Sequence, residues 1–207
     1  MVSNKVVIFD LWQTLADSPV RPSSILGFSP NKNISQEVFL KTLFQSAIFL
    51  ENKDFSLSMK EFLASVQCLD EKILRETLLL WEQMALSAYI IDGAEDLISV
   101  LRSKNYHLCL LTNIDQFGYE KFPFPEFLEN FEYSFLSYRE GIAKPDFRCW
   151  QTIRDHFGVE YSNMIMIGDS YSDDIKPASN LGISTIEVDG TAGYKKVYDY
   201  LKKYGKT

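Results

Sequence analysis

VVIFDLWQTL, residues 6–15, is the stretch whose reading decides the fold. Val6-Val7-Ile8-Phe9 is an unbroken apolar run rich in β-branched residues. That pattern predicts a strand buried on both faces, over residues 5–10, and is too short for a helix. The run ends on a single carboxylate, Asp10, followed by an indole at Trp12, an amide at Gln13 and a hydroxyl at Thr14. One acid after a strand is ordinarily a turn residue. It gains chemical meaning when other strands bring partners to the same edge.

Outward from this stretch the character of the chain changes twice. Residues 16–33 read as a loop carrying Pro19, Pro22, Gly27 and Pro30. Helices are predicted over 34–50, 58–67 and 70–89, the first with Ser35 and Glu37 as an entry signal, and no strand pattern appears between 34 and 89. After Asp92-Gly93, strands and helices alternate. Helices are expected over 94–104, 146–157, 173–181 and from 194, and strands over 107–111, 132–136, 163–167 and 183–188. Single helices between strands imply an α/β fold, a parallel sheet with helices on both faces. The helical stretch 17–90 is then an insert placed just after the first strand, above the sheet edge where open parallel sheets bind ligands.

Bulk properties narrow the classes. The chain has 207 residues, 46% of them hydrophobic, enough for one α/β domain with an inserted subdomain. The net charge is −7 and no basic block stands out, so nucleic acid is not an expected partner. Cys68, Cys109 and Cys149 form no C-x-x-C pair and read as reduced thiols of a cytoplasmic protein. The N-terminus lacks a basic region followed by a long apolar run, so no signal peptide is expected. With no run of about 18 apolar residues, no membrane association is expected. Monomer and dimer are both open.

Four stretches at or just after predicted strands carry chemistry: Asp10 to Thr14, Thr112-Asn113, Lys144-Pro145-Asp146, and Gly168-Asp169-Ser170 through Asp173-Asp174. Each alone is ordinary loop or cap composition. Converging at one mouth, Asp10, Asp169 and Asp174 would repel one another. A hard divalent cation relieves that repulsion, and Mg²⁺ accepts carboxylates, a backbone carbonyl and waters while leaving room for a phosphate. The expected metal set is Asp10, Asp169, Asp174 and Trp12, whose backbone supplies the carbonyl. Lys144 balances the remaining charge. Thr14, Thr112 and Asn113 offer hydroxyls and backbone N–H groups to phosphate oxygens, and Trp12 borders the substrate. Asp10 is then the nucleophile toward phosphorus, with Lys144 as its catalytic partner.

This ordered set resembles the haloacid dehalogenase (HAD) superfamily of hydrolases. Asp10-x-x-x-Thr14 is similar to its motif I, Thr112 to motif II, Lys144 to motif III, and Gly168-Asp169 with Asp174 to motif IV. Ser170 and the run from Asp174 to Gly182 are similar to the stretch that follows motif IV. The resemblance implies a Rossmann-like parallel sheet core, residues 1–16 and 91–207, with an all-helical cap of the C1 type at 17–90. It also implies Mg²⁺ dependence, as in the phosphohydrolase branch, a small phosphorylated substrate, and an aspartyl enzyme intermediate at Asp10.

One place departs from that pattern. Phosphatases of the family carry a second Asp two residues after the nucleophile, to protonate the leaving group and activate water. Here that place holds Trp12, and the usual Gly beside it is Gln13. Three readings follow. A phosphohydrolase could act on leaving groups that need no proton, or borrow an acid from Glu51, Asp54 or Glu61. A dehalogenase would suit an aromatic residue at Trp12, because halide leaves unprotonated, but would not need Asp169; a phosphonate-cleaving relative would need a cap lysine, from Lys41, Lys53 or Lys60. A catalytically impaired binding or regulatory module would keep the fold without turnover. The phosphohydrolase accounts best for Asp169 and Asp174 together. His107 and His156 are expected to be structural, Trp81 cap core, Trp150 helix-to-sheet packing, and Phe122-Pro123-Phe124-Pro125 a rigid loop on the core rather than a partner surface.

Overall fold

The computed structural model describes residues 5–20, 54–65, 70–189 and 194–204. In chain order its elements are β1 (Val6–Phe9), β2 (Ala16–Asp17), α1 (Phe55–Ser65), α2 (Glu71–Leu86), β3 (Tyr89–Ile90), α3 (Ala94–Ser103), β4 (His107–Thr112), α4 (Gln116–Glu120), α5 (Pro125–Leu128), β5 (Tyr133–Leu136), α6 (Ser137–Glu140), α7 (Arg148–Phe157), β6 (Met164–Gly168), α8 (Lys176–Asn180), β7 (Ser184–Glu187) and α9 (Lys195–Tyr204). The predicted helix over 34–50, its entry signal at Ser35 and Glu37, and Cys68 lie outside the described residues.

Five strands form one parallel sheet in the order β5-β4-β1-β6-β7. β1 is central, with Val6 beside His107 and Met164, and Phe9 beside Leu110 and Ile167. Because β1 has helices above and below, both sets of alternating side chains must be apolar. Val6 and Ile8 pack with Cys149, Trp150 and Ile153 of α7. Val7 and Phe9 pack with Leu97 and Leu101 of α3 and Val197 and Leu201 of α9. The chain runs outward from β1 to β4 and β5, then jumps to β6 on the other side. That reversal opens a crevice at the C-terminal ends of β1 and β6, where such sheets bind ligands. β1 places Asp10 there, its N–H donating to the Ile167 carbonyl at 3.0 Å.

The insert leaves and re-enters the core side by side. β2 pairs antiparallel with β3, Ala16 beside Ile90 and Asp17 beside Tyr89. This corrects two expectations, an unbroken loop over 16–33 and a helix reaching residue 89, since α2 stops at Leu86. Two-residue strands have no period to detect, and only their pairing defines them. α2 begins where Asp70 accepts from the Lys72 and Ile73 N–H groups, and packs Trp81 against Met59, Phe62 and Leu63 of α1.

The residues given structural roles hold them. Trp150 is fully buried between α7 and the sheet, His107 pairs with Glu132 at 2.8 Å, and His156 stacks on Tyr133 with ring centroids 4.0 Å apart. Phe122 is buried and Phe124 packs partly on the same core. Cys109 and Cys149 are buried free thiols. Among the described residues no helix is long and apolar enough to cross a membrane.

Candidate active site

Asp10 sits at the end of β1, Lys144 in the loop after α6, and Asp174 in the segment after β6. The Lys144 ammonium lies 2.6 Å from Asp10 Oδ1 and 2.6 Å from Asp174 Oδ1, and all three side chains are buried. Oxygen atoms of Asp10, Asp169 and Asp174 all lie within 4.8 Å of one another. The four acidic and basic groups read from the sequence therefore converge.

Each is held in place locally. Lys144 donates its backbone N–H to Asn113 Oδ1 at 2.9 Å, and Asn113 Nδ2 donates back to the Lys144 carbonyl at 3.0 Å. This reciprocal pair ties the lysine to the end of β4. Ser137 Oγ contacts the N–H and the carbonyl of Ile114, each at 2.8 Å, and fixes the same loop. Asp174 Oδ2 accepts the Ser170 N–H at 3.1 Å. The expected helix over 173–181 opens instead as a wide turn, Tyr171–Ile175, in which Asp174 and Ile175 both donate to the Ser170 carbonyl. The wide turn brings the Asp174 carboxylate inward while Asp173 stays at the rim, and such turns often occur at functional sites. Gly168 makes room for it: a Cβ there would stand 2.6 Å from Asp174 Cβ and closer still to its carboxylate.

The electrostatics follow from burial. Desolvation pushes Asp10 up to about 7, with Lys144 pulling it down and Asp174 and Asp169 adding to the rise. Asp169 is raised to about 6 by desolvation and by Asp174. The two carboxylates hold Lys144 well above its usual value, against the opposing effect of burial.

A cleft of about 350 Å³ opens over this group. Trp12, Asn113, Lys144 and the three aspartates line it. Thr14 and Thr112 do not line it; both are fully buried, and their hydroxyls have no hydrogen-bond partner among the described residues. The Thr14 carbonyl accepts from the Tyr194 hydroxyl at 2.7 Å. Gln13 adopts φ 58°, the left-handed region where glycine is usual. Among the cap candidates, Asp54, Lys60 and Glu61 are exposed and none lines the cleft, and Asp54 caps α1 through the Ser56 and Leu57 N–H groups. Glu51, Lys41 and Lys53 lie outside the described residues.

Sequence reasoning missed Asp115; Trp81 is the helical core residue expected, and it also reaches the cleft. Trp81 belongs to the helical insert, yet its Nε1 donates to Asp115 Oδ2 at 2.9 Å and both residues line the cleft. Asp115 Oδ1 also accepts the Gly118 N–H at 2.7 Å, which caps α4. The capping role was legible in Asp115-Gln116-Phe117-Gly118, but the bond to Trp81 was not.

A family model for haloacid dehalogenase-like hydrolases matches residues 4–182. The glyceraldehyde 3-phosphate phosphatase of Pyrococcus abyssi is 29% identical over 97 residues, 46% of this chain and 41% of that protein, so less than half of that relative's length is spanned. Among solved structures, a HAD family enzyme from Bacteroides thetaiotaomicron, crystallised as a magnesium complex, is 21% identical with a TM-score of 0.67, covering 94% of this chain and 98% of that one. A 2-haloacid dehalogenase from Pseudomonas syringae pv. tomato is 18% identical with a TM-score of 0.57, covering 88% of this chain and 85% of that one. The sheet order, the gathered motif residues and a family match over most of its length lead to one statement: the chain belongs to the haloacid dehalogenase-like hydrolase family.

Proposed function

We propose that the protein is a Mg²⁺-dependent phosphohydrolase that acts on a small phosphorylated metabolite, with Asp10 as nucleophile. The observation that carries this is the gathering of Asp10, Asp169 and Asp174 around Lys144. Three carboxylates against one ammonium leave negative charge uncompensated, and this oxygen-rich donor set fits a hard divalent cation. Asp10, Asp169 and Asp174 would hold it, with Trp12 offering its backbone carbonyl. When bound, the ion neutralises phosphoryl oxygens and orients the phosphorus. An Asp10 oxygen attacks phosphorus and the leaving group departs with the bonding electrons. Water then hydrolyses the aspartyl phosphate and restores the carboxylate. Lys144 keeps Asp10 aimed and offsets charge, while Asn113, which lines the cleft, completes the phosphate site. Residues 1–16 and 91–207 serve as the core and 17–90 as a cap over the crevice.

The reaction class is tested by assaying 4-nitrophenyl phosphate with Mg²⁺, and halide release from a 2-haloacid without metal. Metal-dependent turnover of the first is expected. Metal-independent halide release instead would make the protein a dehalogenase, and phosphate-analogue binding with no turnover would make it a binding module. A dehalogenase would have to tolerate Asp169 and Asp174 beside its nucleophile, which the phosphohydrolase turns to use.

Trp12 cannot exchange a proton, so its position gives no protonation to a leaving group. General acid–base help is worth about 10²–10⁴-fold. Trp12→Asp is expected to raise kcat/KM for an alkyl phosphate by about 10- to 100-fold and for 4-nitrophenyl phosphate by much less. An equal response of both substrates would count against the leaving-group explanation.

Metal binding should depend on pH. Asp10 and Asp169 hold protons more tightly in the folded chain than in the unfolded one. Through these two groups the metal-free protein loses stability as pH rises from about 4 to about 7. A bound cation displaces those protons and reverses the loss. The rise in Tm produced by Mg²⁺ is therefore expected to be larger at pH 8 than at pH 5.5. A shift that is the same at both values would show that the ion binds elsewhere.

A further inference from the structure

Away from its acidic end, the cleft is walled by apolar side chains. Trp12, Val20, Trp81, Met84 and Ile114 line it. The two indoles are fixed before any ligand arrives. Trp81 is 2% exposed and is pinned by Asp115, and Trp12 meets the edge of Phe122 with ring centroids 6.0 Å apart. The charge on the remaining wall is negative: Asp17, Asp115 and Asp173 also line the cleft. Lys144 is the one cation among the described lining residues, and it already contacts Asp10 and Asp174.

We infer that the leaving group this cleft accepts is an uncharged aromatic ring, held against Trp12 and Met84 on a wall that the buried Trp81 backs, with Asp115 as the positioning residue for Trp81. This rests on the phosphohydrolase reading and narrows its substrate class to aryl phosphate monoesters. Two independent features agree on it. The indole and thioether surfaces favour a flat apolar group, and the acids around them disfavour a second anionic group on the substrate. Trp12 in the place of a proton donor separately favours a leaving group that departs as an anion, as a phenol does more readily than an alcohol. In the reaction an Asp10 oxygen bonds to phosphorus as the P–O(aryl) bond breaks, and the phenolate leaves with that electron pair and takes its proton from solvent. Water then attacks phosphorus, releasing phosphate and a proton and regenerating the Asp10 carboxylate.

The test compares 4-nitrophenyl phosphate with acetyl phosphate on the full chain with Mg²⁺, since both leaving groups depart unprotonated and only one carries a ring. The ratio of their kcat/KM values is expected to fall about 10- to 100-fold in Trp81→Ala and about 3- to 10-fold in Met84→Ala. Met84 is only half-buried, so its variant keeps the test valid if removing Trp81 unfolds the insert. Trp81→Phe and Asp115→Leu, which free the ring at position 81 from its pin, are expected to raise KM for the aryl substrate more than they lower kcat. A ratio unchanged within twofold in folded Met84→Ala overturns the inference. If neither compound is hydrolysed, the phosphohydrolase reading fails, and calorimetry with phenylphosphonate and methylphosphonate decides the wall by itself. Tighter binding of the phenyl compound, weakened by Met84→Ala, supports the aromatic site; equal binding, or none, overturns it.

Discussion

Replacing Asp10 with Asn is expected to lower kcat on 4-nitrophenyl phosphate by about 10⁴-fold or more, with the folded structure kept. The amide has the shape of the carboxylate but cannot form the acyl phosphate. Asp10 is 6% exposed, and its contact with Lys144 at 2.6 Å aims one oxygen inward. The ammonium keeps Asp174 at 2.6 Å, so the variant should not lose its fold. Steady-state kinetics together with a thermal melt check both halves. Activity within tenfold of the parent would remove Asp10 from the chemistry and point to a metal-activated water as nucleophile. A loss of activity accompanied by unfolding would be answered by phosphate protection of the folded fraction.

The second large effect is on stability. Lys144→Met is expected to destabilise the protein by about 3–5 kcal/mol at pH 8, because it leaves two buried carboxylates without their shared cation. For a chain of this size each kcal/mol corresponds to about 2–4 °C, so Tm should fall by about 6–20 °C. The sign of the pH dependence is fixed by the same charges. Burial and the facing Asp174 already hold Asp10 up to about 7, and without Lys144 it rises further. Protonation at pH 5.5 neutralises Asp10, so the loss should be smaller there than at pH 8. Mg²⁺ should restore part of it at pH 8, as a substitute cation. Equal losses at both pH values would mean that packing of the lysine stem, not charge, is what matters.

Much of this was legible along the chain. Val6-Val7-Ile8-Phe9 announced a doubly buried strand because its apolar run has no polar alternation, and it forms the central strand. Asp10, Lys144, Asp169 and Asp174 were legible as a group because each closely follows a strand or loop that the topology sends to one edge. Helix ends were less legible. α2 stops at Leu86 rather than 89 because Tyr89 and Ile90 pair with Ala16 and Asp17, a contact that local periodicity does not encode. The helix expected over 173–181 forms as α8, but its opening turn, Tyr171–Ile175, is wide, with the Asp174 carboxylate held inward by Lys144 and the Ser170 N–H.

By itself, then, the sequence determined the α/β class and the acids and lysine that gather at one edge of the sheet. These depend on hydrophobic period and on residue type at strand ends, which are local properties. Only the tertiary structure decided that Asp174 rather than Asp173 turns inward, that Gly168 leaves space for it, and that Trp81 reaches from the insert to Asp115 on the core. The Lys144–Asp174 and Trp81–Asp115 contacts join residues 30 and 34 positions apart. Their partners are chosen by how helices pack on the sheet, and no short window of sequence contains both sides of such a contact.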